Sequence, residues 1–313
     1  MDIKSLSSHT DQDGQRPPKR ARHGTPPVES NGNGLHNDMP PLSLSILGVE
    51  PLDEFIREVA DFLHHMIMTR PDRGGVVEVE AKVGVLRDKM SGQRLSFPVL
   101  VETILAPESL DSRFESNMSP AQHRHFNQLL NDLKLKSSQP GYPSSPLEYT
   151  HLRLVDNFFP SENPQDREKI RVTRNEKTGE VVACMRKIRL GSLDIYSPKR
   201  HADWRISVNM EIPVPPPLGS PTHTRRKDRM SYTHEEFIID LTQVTSTAGP
   251  NSKPEILHEL ELEFARPDYL LATAAKRGDP NVSEMERSAF DELIRAFVNN
   301  ARILVRNADG GWQ

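Results

Sequence analysis

The chain has 313 residues, 40 Lys and Arg against 44 Asp and Glu, and a formal charge of −4. That length holds one large domain plus a tail, or two small domains, and the slight acidic excess excludes an overall basic field for sequence-independent nucleic-acid binding. The single cysteine, Cys184, excludes an intramolecular disulfide framework and a cysteine-rich zinc site.

Residues 1–45 are rich in Ser, Pro, Gly, Asn and charge and poor in large apolar side chains, which predicts a disordered tail. Its basic run Arg16-Pro17-Pro18-Lys19-Arg20-Ala21-Arg22-His23 has the character of a nuclear localisation signal or an RNA-contacting arm. No signal-peptide core and no membrane-length apolar run occurs, so a soluble intracellular protein is expected. The remaining residues, 46–313, are expected to form one domain with order beginning near Pro51. Phe55, Ile56, Val59, Phe62, Leu63, Met66 and Ile67 follow helical spacing and predict an amphipathic helix that ends near Arg70-Pro71. A strand follows, in which Glu78, Glu80 and Lys82 alternate with Val77, Val79, Ala81 and Val83. After a variable loop, Ser119-Pro120 marks the start of a second helix with Phe126, Leu129, Leu130 and Leu133 on its apolar face.

From about residue 148 to 264 the pattern is of strands separated by turns, near 149–158, 168–174, 180–190, 203–212, 226–233, 236–244 and 255–264. Asn175 to Gly179 reads as a hairpin loop and Pro213 to Pro221 as a proline-rich loop. The capping-box sequence Ser283-Glu284-Met285-Glu286 opens a last helix. The absence of βαβ alternation indicates an antiparallel barrel or sandwich.

The polar faces carry the chemistry. Glu259, Glu261 and Glu263 alternate with Leu260, Leu262 and Phe264. Side chains two apart on a strand are separated by roughly 6.5–7 Å, so such carboxylates repel unless water, a cation or a base separates them. Two glutamate strands at opposite ends of the domain, with Lys187, Arg225, Lys227 and Arg229 on strands between them, have the look of two walls of a hard-cation site. Periodicity alone leaves open whether the polar faces see solvent or an enclosed interior.

Val77-Glu78-Val79-Glu80-Ala81-Lys82-Val83-Gly84-Val85 and Glu259-Leu260-Glu261-Leu262-Glu263 resemble the two glutamate motifs of the fungal metal-dependent mRNA 5′-triphosphatases, a branch of the triphosphate tunnel metalloenzymes. The strings Arg205 to Pro213, Arg226-Lys227-Asp228-Arg229-Met230-Ser231-Tyr232 and Ile239-Asp240-Leu241-Thr242-Gln243-Val244 resemble the family's inner strands in order. The resemblance covers about residue 50 to 300. It implies an α+β fold, a closed eight-stranded antiparallel β-barrel with a polar interior and helices at both ends. It further implies a nuclear, homodimeric enzyme that removes the γ-phosphate of nascent RNA and works with an mRNA guanylyltransferase or the transcription machinery. The tryptophan-rich docking segment of some members has no counterpart, since only Trp204 and Trp312 occur.

On that resemblance Mg²⁺ or Mn²⁺ is assigned to Glu78, Glu80, Glu259, Glu261 and Glu263, because carboxylate oxygens suit octahedral hard cations. Lys82, Arg171, Lys187, Arg225, Lys227 and Arg229 are assigned to the phosphates, with Arg174 as an alternative to Arg171. Glu211 is the candidate to position the attacking water, and Asp240 and Thr242 to orient basic side chains. Two other readings share these residues: a tripolyphosphatase or thiamine triphosphatase of the same fold, and a catalytically silent anion- or RNA-binding module.

Overall fold

Alternation of small apolar and charged residues makes Val76–Asp88 a long strand, β1, whose Val77, Val79, Ala81 and Val83 are all buried. The computed structural model describes residues 42–50, 53–161, 168–249, 252–308 and 312, so most of the expected tail, including its basic run, lies outside the described residues. Residues up to Glu50 and those from Pro51 onward are separate units. Within the first, the Ser45 hydroxyl accepts from the Leu47 and Val49 amides, and Leu44, Ile46 and Leu47 are exposed.

In the larger unit, α1 (Glu54–Met68) begins at Asp53, whose carboxylate caps the Phe55 and Ile56 amides. Two short strands follow β1: β2 (Thr103–Leu105) and β3 (Ser112–Glu115). Helix α2 (Pro120–Ser137) starts at the predicted Ser119 cap with proline at its first turn. The strands β4 (Glu148–Phe159), β5 (Ile170–Asn175), β6 (Val181–Tyr196), β7 (Asp203–Pro213), β8 (His223–His234), β9 (Phe237–Thr247) and β10 (Glu255–Phe264) come next. Helix α3 (Pro267–Lys276) and the 23-residue α4 (Glu284–Arg306) end the fold, α4 with the capping box complete.

The strands pair in the order β10-β9-β8-β4-β5-β6-β7-β1, and β1 pairs with β10, closing an antiparallel barrel of eight strands. Strands β2 and β3 lie outside the ring, on β6 and β1. At Gly84 a Cβ would stand 2.3 Å from the Glu115 carbonyl oxygen, so glycine is what lets β3 approach.

The apolar faces point outward. Val79, Trp204, Ile206, Val208, Leu260 and Leu262 form one core with Leu63 and Ile67 of α1 and Phe290, Ile294, Phe297 and Leu304 of α4. Helix α2 brings Phe126 and Leu130 to the same cluster. Burying these helix stripes turns the barrel inside out, leaving its charged faces to line the interior. No helix among the described residues is long and apolar enough to cross a membrane.

Four elements exceed the sequence reading. Strand β6 continues to Tyr196, past a register shift between Arg189 and Gly191 that breaks its alternation. Strands β2 and β3 are too short to show a period, and α3 fills what reads as a connection.

Candidate metal and phosphate site

Directly opposed residues of an antiparallel pair point to the same face, so the register identifies the lining of the barrel. Glu80 lies across from Ser207 and Glu263, and Lys82 from Arg205 and Glu261. Glu78 faces Asn209. Glu259 and Glu261 face Thr242 and Asp240. Arg229 faces Thr242, Arg225 faces Asp156, and Lys187 faces Glu211. All the residues assigned to the site from sequence, the alternative Arg174 excepted, therefore share the inner surface. Arg171 is on the inner side and bonds Glu211 at 2.8 Å, whereas Arg174 is exposed and donates to the Gly179 carbonyl.

The inner cations and carboxylates interlock. Lys82 pairs with Glu261 and lies 3.5 Å from Glu80. Lys187 pairs with Glu78. Arg225 meets Glu259 at 2.9 Å and Lys227 meets Asp156 at 2.6 Å. Arg229 spans Asp240 at 2.5 Å and Glu261 at 3.1 Å, and donates to the Thr242 hydroxyl. These pairs are screened little by solvent, because Glu80, Asp156, Asp240 and Glu261 are all buried.

Burial works against the charge on Lys82, but Glu261, Glu80 and Glu259 outweigh it and raise its pKa. Burial likewise disfavours ionised Glu261, yet Lys82 and Arg229 hold its pKa well below the usual carboxylate range. Burial lowers the Lys227 pKa despite Asp156, helped by the nearby Arg229. Glu263 behaves in the opposite way. Burial, with Glu261, Glu78 and Asp240 close by, pushes it up to about 8. Glu263 has no hydrogen-bond or ion-pair partner among the described residues.

Glu263 is also the member common to two acidic groups. Glu78, Glu80 and Glu263 bring one oxygen each within 4.8 Å of one another, as do Asp240, Glu261 and Glu263. Uncompensated negative charge in an oxygen-only pocket suits a small hard cation, which would relieve the repulsion that raises Glu263. Glu259 belongs to neither group and is engaged by Arg225.

Among the inner residues given no role from sequence, Asp156, Asn209 and Ser207 stand closest to the carboxylates and cations of the site. Asp156 is 1% exposed and accepts from Lys227 and Thr173, locking β4 to β8 and β5. Asn209 donates to both Glu78 and Glu80, at 3.0 and 3.2 Å, and so fixes the spacing of the β1 glutamates. Ser207 is buried across from Glu80, and its hydroxyl has no hydrogen-bond partner among the described residues. Ser207 and Asn209 carried a signal, since they share the period-two face of Glu211; Asp156 shares a strand face with Leu152 and Leu154, and nothing local marks it.

A lined interior with carboxylates grouped on β1 and β10 and cations on β5, β6 and β8 is equipped to neutralise a polyanion and hold it beside a metal ion. Comparison with known proteins gives the same direction. The chain is 38% identical to the mRNA-capping enzyme subunit beta of Schizosaccharomyces pombe, over 86% of each protein. It is 32% identical to the subunit of the same name from Cryptococcus neoformans, over 89% of this chain and 69% of that one. The structure of S. pombe Pct1 RNA triphosphatase in complex with the Spt5 CTD superposes with a TM-score of 0.76 at 36% identity, covering 86% of this chain and 100% of that one. The family described as mRNA capping enzyme, beta chain, matches residues 49–309, and the chain belongs to it.

Proposed function

We propose that the protein is a metal-dependent RNA 5′-triphosphatase, which hydrolyses the γ-phosphate from triphosphate-ended RNA and leaves a 5′-diphosphate, the first step of mRNA capping. The observation that carries the reading is Glu263, a half-buried carboxylate without an ion-pair partner among the described residues, standing between two acidic groups in a barrel whose inner cations line the approach. A silent anion binder gains nothing from that cluster, because unpaired carboxylates repel phosphate.

Mg²⁺ or Mn²⁺ would be held by Glu78, Glu80 and Glu263, with Asp240 and Glu261 alongside, and when bound would offset phosphate charge and draw electron density from the scissile bond. Lys82, Lys187, Arg171, Arg225, Lys227 and Arg229 bind the triphosphate by exchanging carboxylate partners for phosphate oxygens. Arg171 holds one Glu211 oxygen, which leaves the other to accept a proton from, and so orient, the attacking water. Asn209 and Asp156 position Glu78, Glu80 and Lys227.

The family and the relatives' names support a nuclear site of action and a partner in the guanylyltransferase or the transcription machinery; the homodimer that the sequence resemblance implies is the proposed assembly. Phosphate release from triphosphate-ended RNA, tripolyphosphate and thiamine triphosphate tests the reaction. The expected result is release from RNA that requires Mg²⁺ or Mn²⁺ and leaves a diphosphate end. Release confined to the two small substrates would overturn the RNA assignment, and release undiminished by a chelator would overturn the metal.

A further inference from the structure

Arg189 stands apart from the other cations of the inner surface. Strand register places it across from Asn209, on the same face as Lys187 and next to the amide that holds Glu78 and Glu80. Lys82, Arg171, Lys187, Arg205, Arg225, Lys227 and Arg229 each meet a carboxylate. Arg189 meets none among the described residues, and it is exposed.

The wall is also open there. Pairing of β6 with β5 ends at Arg186, and pairing with β2 begins only at Asp194. Between them, the edge of β6 away from β7 has no strand partner among the described residues. A groove of about 550 Å³ lies at this breach, lined by Arg189, Arg205 and Lys89 together with Phe62, Met66 and the acidic Glu108. Arg205 and Lys89 are already committed to Asp194 and Asp111, which leaves Arg189 as the groove's available cation. Guanidinium suits a phosphate, and apolar and aromatic surface beside it suits a base.

Taking triphosphate-ended RNA as the substrate, as proposed above, we infer that the RNA chain leaves the barrel through this breach and that Arg189 binds a backbone phosphate beyond the first nucleoside. The paired cations hold the triphosphate by giving up a carboxylate. Arg189 gives up only water, so it adds affinity for a chain that continues past the triphosphate. It is the residue that makes the enzyme prefer RNA to a free triphosphate.

The test is the ratio of kcat/KM for a short triphosphate-ended RNA to kcat/KM for a free nucleoside triphosphate, in wild type, Arg189→Lys, Arg189→Ala and Arg189→Glu. A lost charged phosphate contact lowers the ratio roughly tenfold in Arg189→Ala, with a larger fall in Arg189→Glu and partial retention in Arg189→Lys. The slope of log(kcat/KM) for RNA against log salt should become shallower by about 0.7, the value for one phosphate contact on a single strand. An unchanged ratio in Arg189→Ala and Arg189→Glu, with wild type active on RNA, overturns this inference alone. Equal losses on both substrates overturn it too, by placing Arg189 on the triphosphate. A wild type that releases no phosphate from RNA overturns the proposed function with it.

Discussion

The barrel has two unlike walls. Strands β7, β1 and β10 carry the inner glutamates, and their outer faces are sealed by α1, α3 and α4, with Trp204, Val208, Leu260, Phe290 and Phe297 all fully buried. Strand β4 and the first half of β8 carry Asp156, Arg225 and Lys227 inward, but their outer faces show exposed His151, Arg153, Arg226 and Asp228. On the proposed function the difference follows the demands of the ligands. A small octahedral ion needs oxygen at about 2.0–2.1 Å, so its carboxylates belong on backbone held by close packing. A triphosphate met by long Arg and Lys side chains tolerates a less supported strand, because the reach of the side chain absorbs the error.

The largest effect should come from breaking the support behind the acidic wall. Phe297 stacks on Phe264 with ring centroids 4.7 Å apart and is completely buried. Phe297→Ala should destabilise the fold by about 3–5 kcal/mol, measured by denaturant unfolding. A loss under about 1 kcal/mol would mean that the helices do not hold this wall.

Inside the same wall the expected effect changes kind. Glu80→Gln removes charge at constant size, and Glu80→Asp withdraws the charge by one methylene. Each should cut phosphate release from RNA roughly tenfold or more, about 1.4 kcal/mol of barrier, while the protein stays folded by circular dichroism. Near-wild-type rates for both would move Glu80 out of the metal set.

How much of this contrast is legible in the sequence depends on where pairing repeats locally. The alternation in β1, β7 and β10 exposes both faces of the acidic wall, and Ser119, Ser283 and Glu286 mark two helix starts that the structure reproduces. The direction of the faces is not legible, because it is set by helices far away in the chain. In β6 the shift at Leu190 changes parity, so Lys187 and Arg189 share a face with Ser192 and Asp194, and a reading by twos stops there. Asp156 is invisible for another reason. Its meaning comes from Lys227 and Thr173 on neighbouring strands, not from its own.

A smaller effect should appear where α2 backs the acidic wall. His123 of α2 and His258 of β10 have ring centroids 4.6 Å apart, and both are buried. Burial first, and then His258, lowers the His123 pKa from 6.5 to about 4. Between those values the unfolded chain binds a proton that the native state refuses, so stability falls as pH drops from about 6.5 towards 4 and is unaffected by this group at higher pH. His123→Gln should flatten that part of a Tm-versus-pH curve. An unaltered slope would place the acid sensitivity elsewhere.

The smallest effect belongs to the exposed side of the basic wall. Arg226 faces outward, its side chain 67% exposed and 3.8 Å from Glu176. Arg226→Ala should alter stability by no more than about 0.5 kcal/mol and leave turnover at the wild-type level. A sharp loss of turnover would show that the outer face of this wall also meets substrate.

The central claim is that the acidic wall is built around a cation, and Glu263 tests it most directly. In thermal unfolding with and without Mn²⁺, the wild-type Tm should rise with metal, because a ligand stabilises the state it binds. In Glu263→Gln the metal-free Tm should equal or exceed that of wild type, since the substitution removes a repelling carboxylate, and the response to Mn²⁺ should be largely lost. A Glu263→Gln protein that is less stable without metal and keeps the full Mn²⁺ response would contradict the account.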